Sequence, residues 1–160
     1  MKQPRYRTGY VTGGSSGIGL AVARAPVCGG ADVHIFARDP DRLSMATAEL
    51  MAVRPDPDRT VRGHPLDVTD GAAVEAVPGE LSRAVGAPDL LVNCAGLARP
   101  RRVTEVTPEQ FELVLRTNLH GSFRVIKALL PAMLGAGRGH VVNTASVAGM
   151  VREGDGLGRF

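Results

Sequence analysis

The chain has 160 residues, 44% apolar and 22% charged, with a net charge of +3. That length fits one domain with a packed core, and the composition excludes a disordered or fibrous chain. The positive charge is mostly arginine spread along the sequence, and with 4% aromatics and no Trp there is no stacking platform for nucleic acid.

Tyr10-Val11-Thr12 is a short strand that runs into Gly13, Gly17 and Gly19, and an apolar helix follows from Ile18 to Val27. Glycine at a strand-to-helix turn permits positive φ and close approach of a ligand to the backbone. The opening helix points unpaired N–H groups and the positive end of its dipole at that turn. The result is an anion site suited to a dinucleotide pyrophosphate. Its spacing, Gly-x-x-x-Gly-x-Gly, differs from the Gly-x-Gly-x-x-Gly of the commoner fingerprint. Pro26 predicts a kink or an early end, because a proline inside a helix costs about 3 kcal/mol. Gly29 and Gly30 then stop the helix.

Ala31 to Ala37 is the second strand, and it ends at Arg38-Asp39-Pro40. Residues at this place lie beside the adenosine ribose in a βαβ nucleotide unit. An arginine there pairs bidentately with a 2′-phosphate, whereas an acid accepts from a free 2′-hydroxyl. Arg38 therefore favours NADP(H), with NAD the alternative. The competing assignment makes Arg38 a solvated loop charge and gives Asp39 either the ribose or the cap of the next helix.

Asp41 to Val53 has helical spacing at Leu43, Ala46, Leu50 and Val53. A proline-rich loop leads to a third strand, Val61 to Leu66, which ends in Asp67-Val68-Thr69. The Asp67 carboxylate sits where it can accept from the adenine amino group. It can also cap the next helix, as can Thr69 or Asp70. That helix, Ala72 to Val85, carries a second unwelcome proline, Pro78. Pro88 to Gly96 joins an apolar run, typical of a parallel strand buried on both faces, to a turn of small residues. Asn93, Ala95 and Gly96 leave room there for a flat ligand, and the Asn93 amide can brace neighbouring backbone.

Leu97 to Thr107 is a loop, and Thr107-Pro108-Glu109-Gln110 is a helix start. A long helical region runs from Phe111 to about Leu134. Asn118 lies in its middle among Leu115, Leu119 and Phe123. Either it distorts the helix and holds a water, or it hydrogen-bonds backbone. His140 to Ala145 is the fifth strand, and Ser146 leaves it toward the crevice where open α/β sheets bind ligands. The whole predicts an α/β, Rossmann-type, doubly wound parallel sheet, incomplete at about five strands. The expected order is 3-2-1-4-5 with helices on both faces. Residues 1–150 form the dinucleotide-binding domain and 151–160 an irregular tail.

The two cysteines, Cys28 and Cys94, lack partners at metal-ligand spacing and make no disulfide framework. Both read as small buried apolar groups in a reducing compartment, and no metal is expected. No window reaches the ~18 uninterrupted apolar residues of a membrane span. No apolar signal core follows the basic N-terminus, so the cytoplasm is the expected location. His34, His64, His120 and His140 each read as structural or exposed.

Four motifs stand in register: Thr12-Gly13-x-x-x-Gly17-Ile18-Gly19, Asp67-Val68, Asn93-Cys94-Ala95-Gly96, and Asn118 followed by Ser146. Together, over nearly the whole chain, they resemble the short-chain dehydrogenase/reductase family. The resemblance implies an oxidoreductase that moves a hydride between a nicotinamide dinucleotide and a small carbonyl or alcohol. It implies that Gly13, Ser15, Ser16, Gly17, Ile18 and Gly19 cradle the phosphates and that Arg38 selects NADP. Asp67 and Val68 would flank the adenine, and Asn93, Ala95 and Gly96 would line the cofactor. Asn118 would hold a proton-relay water and Ser146 would hydrogen-bond the reacting oxygen. The runs Val11 to Gly19, Phe36 to Asp39 and Leu91 to Gly96 look like the 3-ketosphinganine reductase branch, which implies a lipid-like substrate. A homo-oligomer is a further implication.

The family's acid/base is a Tyr, with a Lys four residues later, on the helix after the Ser. Here that Tyr would fall at or just beyond Arg159 and Phe160, and the only tyrosines are Tyr6 and Tyr10. The chain thus reads as truncated before the Tyr-x-x-x-Lys motif, or as a divergent short form. Hydride delivery to a carbonyl needs a proton donor at the oxygen, so impaired or absent activity is expected of it alone. The alternative is a dinucleotide-binding module without chemistry, or a non-functional fragment.

Overall fold

Five parallel strands form one sheet in the order β3-β2-β1-β4-β5. They are β1 (Thr8–Thr12), β2 (Asp32–Ala37), β3 (Val61–Pro65), β4 (Leu90–Asn93) and β5 (His140–Asn143). The structure is a computed structural model that describes residues 5–98 and 101–146. Three helices connect the first four strands: α1 (Gly17–Cys28), α2 (Pro40–Ala52) and α3 (Gly71–Val85). After β4 come a 3-10 turn (Val103–Glu105), α4 (Pro108–Leu115), a π-helical segment (Arg116–Gly121) and α5 (Ser122–Gly135). The expected strand order and helix sequence are those observed. The last residues of the expected domain, 147–150, and the expected tail at 151–160 lie outside the described residues.

β1 pairs with β2 from Thr8↔Asp32 to Thr12↔Phe36, and with β4 from Gly9↔Leu90 to Thr12↔Asn93. Alternation along the strands divides the apolar side chains between two faces. Val11, Val33, Ile35, Val61 and Val92 meet Ala23 and Val27 of α1 and Leu43, Ala46 and Leu50 of α2. On the other face Tyr10, Phe36 and Leu91 meet Val74 of α3 and Val125, Leu129 and Met133 of α5. Covering both faces of the central strands is what makes their sequence near-continuously apolar. β5 differs: it is an edge, and its four residues are exposed in the described structure.

At the opposite end of the sheet from the glycine turn, the buried Asp89 carboxylate accepts from the Arg7 amide (2.9 Å) and the Thr8 amide (3.0 Å). Arg138 lies 4.0 Å away. One side chain thereby fastens the start of β1 to β4.

The prolines disturb less than the sequence suggests. α1 continues two residues past Pro26, which lies in its last turn, where few later amides depend on the helix. The Pro26 ring is buried beside Gly9 of β1, so packing offsets the missing N–H. α3 likewise runs unbroken through the buried Pro78. The cysteines depart from expectation. Cys28 is exposed on the last turn of α1, with Sγ 3.8 Å from the Val53 carbonyl, and Cys94 is half-buried at the mouth of the crevice. Among the described residues no helix is long and apolar enough to cross a membrane, and no cluster of three metal-ligating side chains occurs.

Candidate functional site

β1 lies between β2 and β4, so the chain leaves it for one side of the sheet first and the other side later. A crevice opens at such a switch point, outside the C-terminal strand ends. Here it is a cavity of about 420 Å³, within the size range of small-molecule sites. Its wall includes Gly13, Ser15, Ser16, Gly17, Ile18, Gly19, Arg38, Asp67, Val68, Ala95 and Gly96. Eleven of the residues singled out in the sequence thus converge on one space.

The phosphate end is shaped by what glycine permits. Gly13 has φ of 68°, and a Cβ there would stand 2.7 Å from the Cys94 carbonyl carbon and oxygen. A Cβ on Gly19 would stand 2.1 Å from the Gly13 carbonyl oxygen. The turn and the first coil of α1 are therefore pressed together without side chains, leaving backbone amides at the cavity wall. Thr12 holds this arrangement: its hydroxyl accepts from the Ala95 amide at 3.2 Å, and its carbonyl accepts from the Cys94 amide at 3.1 Å.

The helix starts differ in a telling way. Asp39, Asp70 and Thr107 each cap their helix with a side-chain oxygen. Ser16, the N-cap of α1, makes no such bond, and the first turn of α1 carries no acid. The first amides of α1 thus lack the side-chain partner that α2, α3 and α4 have, and its dipole faces the cavity. Such uncapped amides at a positive helix end suit an anion, so a dinucleotide pyrophosphate fits this end.

At the other end stand Arg38, Asp39, Arg42, Leu66, Asp67 and Val68. Asp67 does not cap α3; Asp70 does, accepting from the Ala73 amide at 3.1 Å. Asp67 instead accepts both the amide and the hydroxyl of Thr69 on Oδ1, each at 2.8 Å. Partial burial pushes its carboxyl up, but the Thr69 bonds and the Arg38 and Arg116 guanidinium groups together hold it below the usual carboxylate range. Asp67 is therefore an anionic acceptor at neutral pH. Asp39 is committed to the α2 cap, accepting from the amides of Asp41 (3.0 Å) and Arg42 (3.1 Å).

Three expected residues do not reach the cavity wall. Asn93 is buried, and its amide donates to the Asn143 side chain at 2.9 Å, bracing β4 against β5. Asn118 lies in the π-helical segment, so the expected helix distortion is present. Its side chain grips backbone: Oδ1 accepts from the Leu97 amide (2.9 Å) and Nδ2 donates to the Leu97 carbonyl (3.0 Å). It is not among buried apolar groups, because Leu119 and Phe123 are 60% and 63% exposed. Ser146 lies three residues beyond β5 and is exposed. Sequence reasoning missed Phe36, Arg42, Leu66, Cys94 and Thr117, which also line the cavity. Arg42 was findable, since it follows Arg38 within the first turn of the next helix.

A model of the short chain dehydrogenase family matches residues 7–156. The chain belongs to the short chain dehydrogenase family. It is 38% identical over 146 residues to D-threitol dehydrogenase of Mycolicibacterium smegmatis, covering 91% of this chain and 54% of that one. Among solved structures, a metagenomic short-chain oxidoreductase in complex with NADP is 31% identical with a TM-score of 0.83. That match covers 95% of this chain and 67% of the neighbour. L-sorbose reductase of Gluconobacter frateurii, complexed with NADPH and L-sorbose, is 30% identical with a TM-score of 0.80. It is covered over 52% of its length by 88% of this chain. The chain spans 50 to 62% of the length of curated relatives that it matches.

Proposed function

We propose that the chain binds NADP(H) across the C-terminal ends of β1 and β4 and serves hydride transfer between that cofactor and a carbonyl or alcohol. The observation that carries this reading is the uncapped start of α1 against the close-packed Gly13 and Gly19. The NADP and NADPH complexes of the two structural neighbours support it. The α1 amides with Ser15 and Ser16 hold the pyrophosphate, Asp67 and Val68 hold the adenine, and Arg38 takes the 2′-phosphate. Ala95 and Gly96 line the far side of the dinucleotide, over the Asn93 brace. Bound nicotinamide supplies the hydride.

Ser146 orients the reacting oxygen, and Asn118 fixes the Leu97 backbone beside the site and stands by the proton relay. A serine hydroxyl alone is a poor acid, and the Tyr and Lys that the family uses are not among these 160 residues. Tyr10 cannot stand in, because it is buried under the sheet, where burial holds its hydroxyl well above the ordinary value. The 160 residues by themselves therefore bind the cofactor without turning it over. The resemblance of the runs at 11–19, 36–39 and 91–96 to the 3-ketosphinganine reductase branch supports a lipid-like β-keto compound as the substrate class. Exposed Leu119, Phe123 and Leu130 support self-association.

NADPH fluorescence titration, followed by NADPH consumption with a β-keto substrate, tests both parts. Saturable binding with no turnover is expected. Absence of binding overturns the reading, whereas turnover at ordinary enzyme rates overturns only the account of the missing acid.

A further inference from the structure

Arg38 and Arg42 both line the adenosine end of the cavity, with Asp39 between them in sequence. A free Asp39 carboxylate there would repel a 2′-phosphate and favour a 2′-hydroxyl. The structure shows how that charge is contained. Asp39 Oδ1 is taken by the Asp41 and Arg42 amides at the start of α2, and Oδ2 faces the Arg42 Nε at 3.5 Å. Because Arg42 meets Asp39 through Nε, its two terminal nitrogens stay available, and its side chain is 68% exposed. A guanidinium has five donors in a planar fork, so one edge can hold a carboxylate while another holds a phosphate.

We propose that Arg42 is a second cation of the 2′-phosphate subsite, donating directly to the phosphate while its Nε neutralises Asp39. This rests on the reading that Arg38 takes the 2′-phosphate of NADP(H). It gives the chain a two-arginine clamp, one arm at the end of β2 and the other on the first turn of α2. The acid between them is bound into the helix cap.

The test is the affinity of the full chain for 2′,5′-ADP and for 5′-ADP, by calorimetry, in the wild type and in Arg38→Gln, Arg42→Gln, Asp39→Asn and Asp39→Asn/Arg42→Gln. Arg42→Gln should weaken 2′,5′-ADP about tenfold, the scale of one charge-assisted contact, and leave 5′-ADP within about twofold. Asn at position 39 keeps a cap oxygen without the charge, and thermal melts check that each variant folds. A persisting Arg42→Gln penalty in the Asp39→Asn background supports direct donation. Its disappearance there overturns the proposal, since Arg42 would then only neutralise Asp39. A wild type that does not prefer 2′,5′-ADP overturns this proposal and the Arg38 reading together. A wild-type preference lost in Arg38→Gln but kept in Arg42→Gln overturns this proposal alone.

Discussion

His34 Nδ1 and His64 Nε2 lie 2.9 Å apart on neighbouring strands, so one neutral imidazole donates to the other. Tyr10 meets the His34 ring edge-on, and Phe36 stacks on His64, which places the pair inside an aromatic cluster on the α3/α5 face. Burial, the charge of His64 and that of Arg62 lower His34 to about 4, against the opposing pull of Asp32. Burial and then Arg62 lower His64.

The consequence is acid sensitivity. The folded chain holds His34 neutral down to about pH 4, whereas the unfolded chain protonates it near pH 6.5. Between those values the unfolded state binds more protons, so stability is full above pH 6.5 and declines as the pH falls. Urea unfolding should lose on the order of 3 kcal/mol from pH 7 to pH 4 through this residue. The same series on His34→Gln should be markedly flatter; parallel profiles would refute the assignment.

Gly19→Ala should abolish NADPH binding. The added methyl would meet the Gly13 carbonyl at 2.1 Å, so the turn and the α1 start must separate. A loss of affinity of about a hundredfold or more, with far-UV circular dichroism little changed, is expected where a backbone cradle is forced open. Unaltered titration curves would mean that the cradle does not hold the ligand.

Asp89→Ala should destabilise the chain by about 3 kcal/mol. Two amides at the start of β1 lose a buried charged acceptor, and each such bond contributes about 1.5–3 kcal/mol. Chemical denaturation measures this directly. A change under about 0.5 kcal/mol, the range of ordinary surface substitutions, would show that water replaces the carboxylate.

Asn118→Ala should leave overall stability within about 1 kcal/mol, because the site is exposed. The local effect is sharper. Leu97 loses both its amide acceptor and its carbonyl donor, so amide hydrogen exchange at Leu97 should accelerate far more than at the β4 amides. Equal acceleration at both would assign Asn118 a global role.

Much of this was legible in the residues. The apolar runs at 35–37 and 90–92 fit strands covered on both faces, and the βα alternation then limits their order. The phosphate turn was legible because three glycines cluster where a strand meets a helix. The roles of Asp39, Asp67 and Asp70 were not separable in one dimension. All three follow a strand and precede a helix, and only the hydrogen-bond partners show that Asp39 and Asp70 cap while Asp67 turns to Thr69. Pro26 and Pro78 misled for a related reason. Local propensity counts the lost helix bond but not the burial of the ring. The apolar neighbours of Asn118 suggest an interior position, yet Leu119 and Phe123 are themselves on the outside.

Asp89 also governs how the two middle strands find each other. It stands immediately before β4, yet it grips amides as many as 82 positions upstream. Sliding β4 one place along β1 would draw the carboxylate about 3.3 Å from those amides and swing Leu91 to the wrong side. A misaligned pairing would therefore leave a buried carboxylate without the two amides it accepts from, so this one acid favours the observed register over its neighbours.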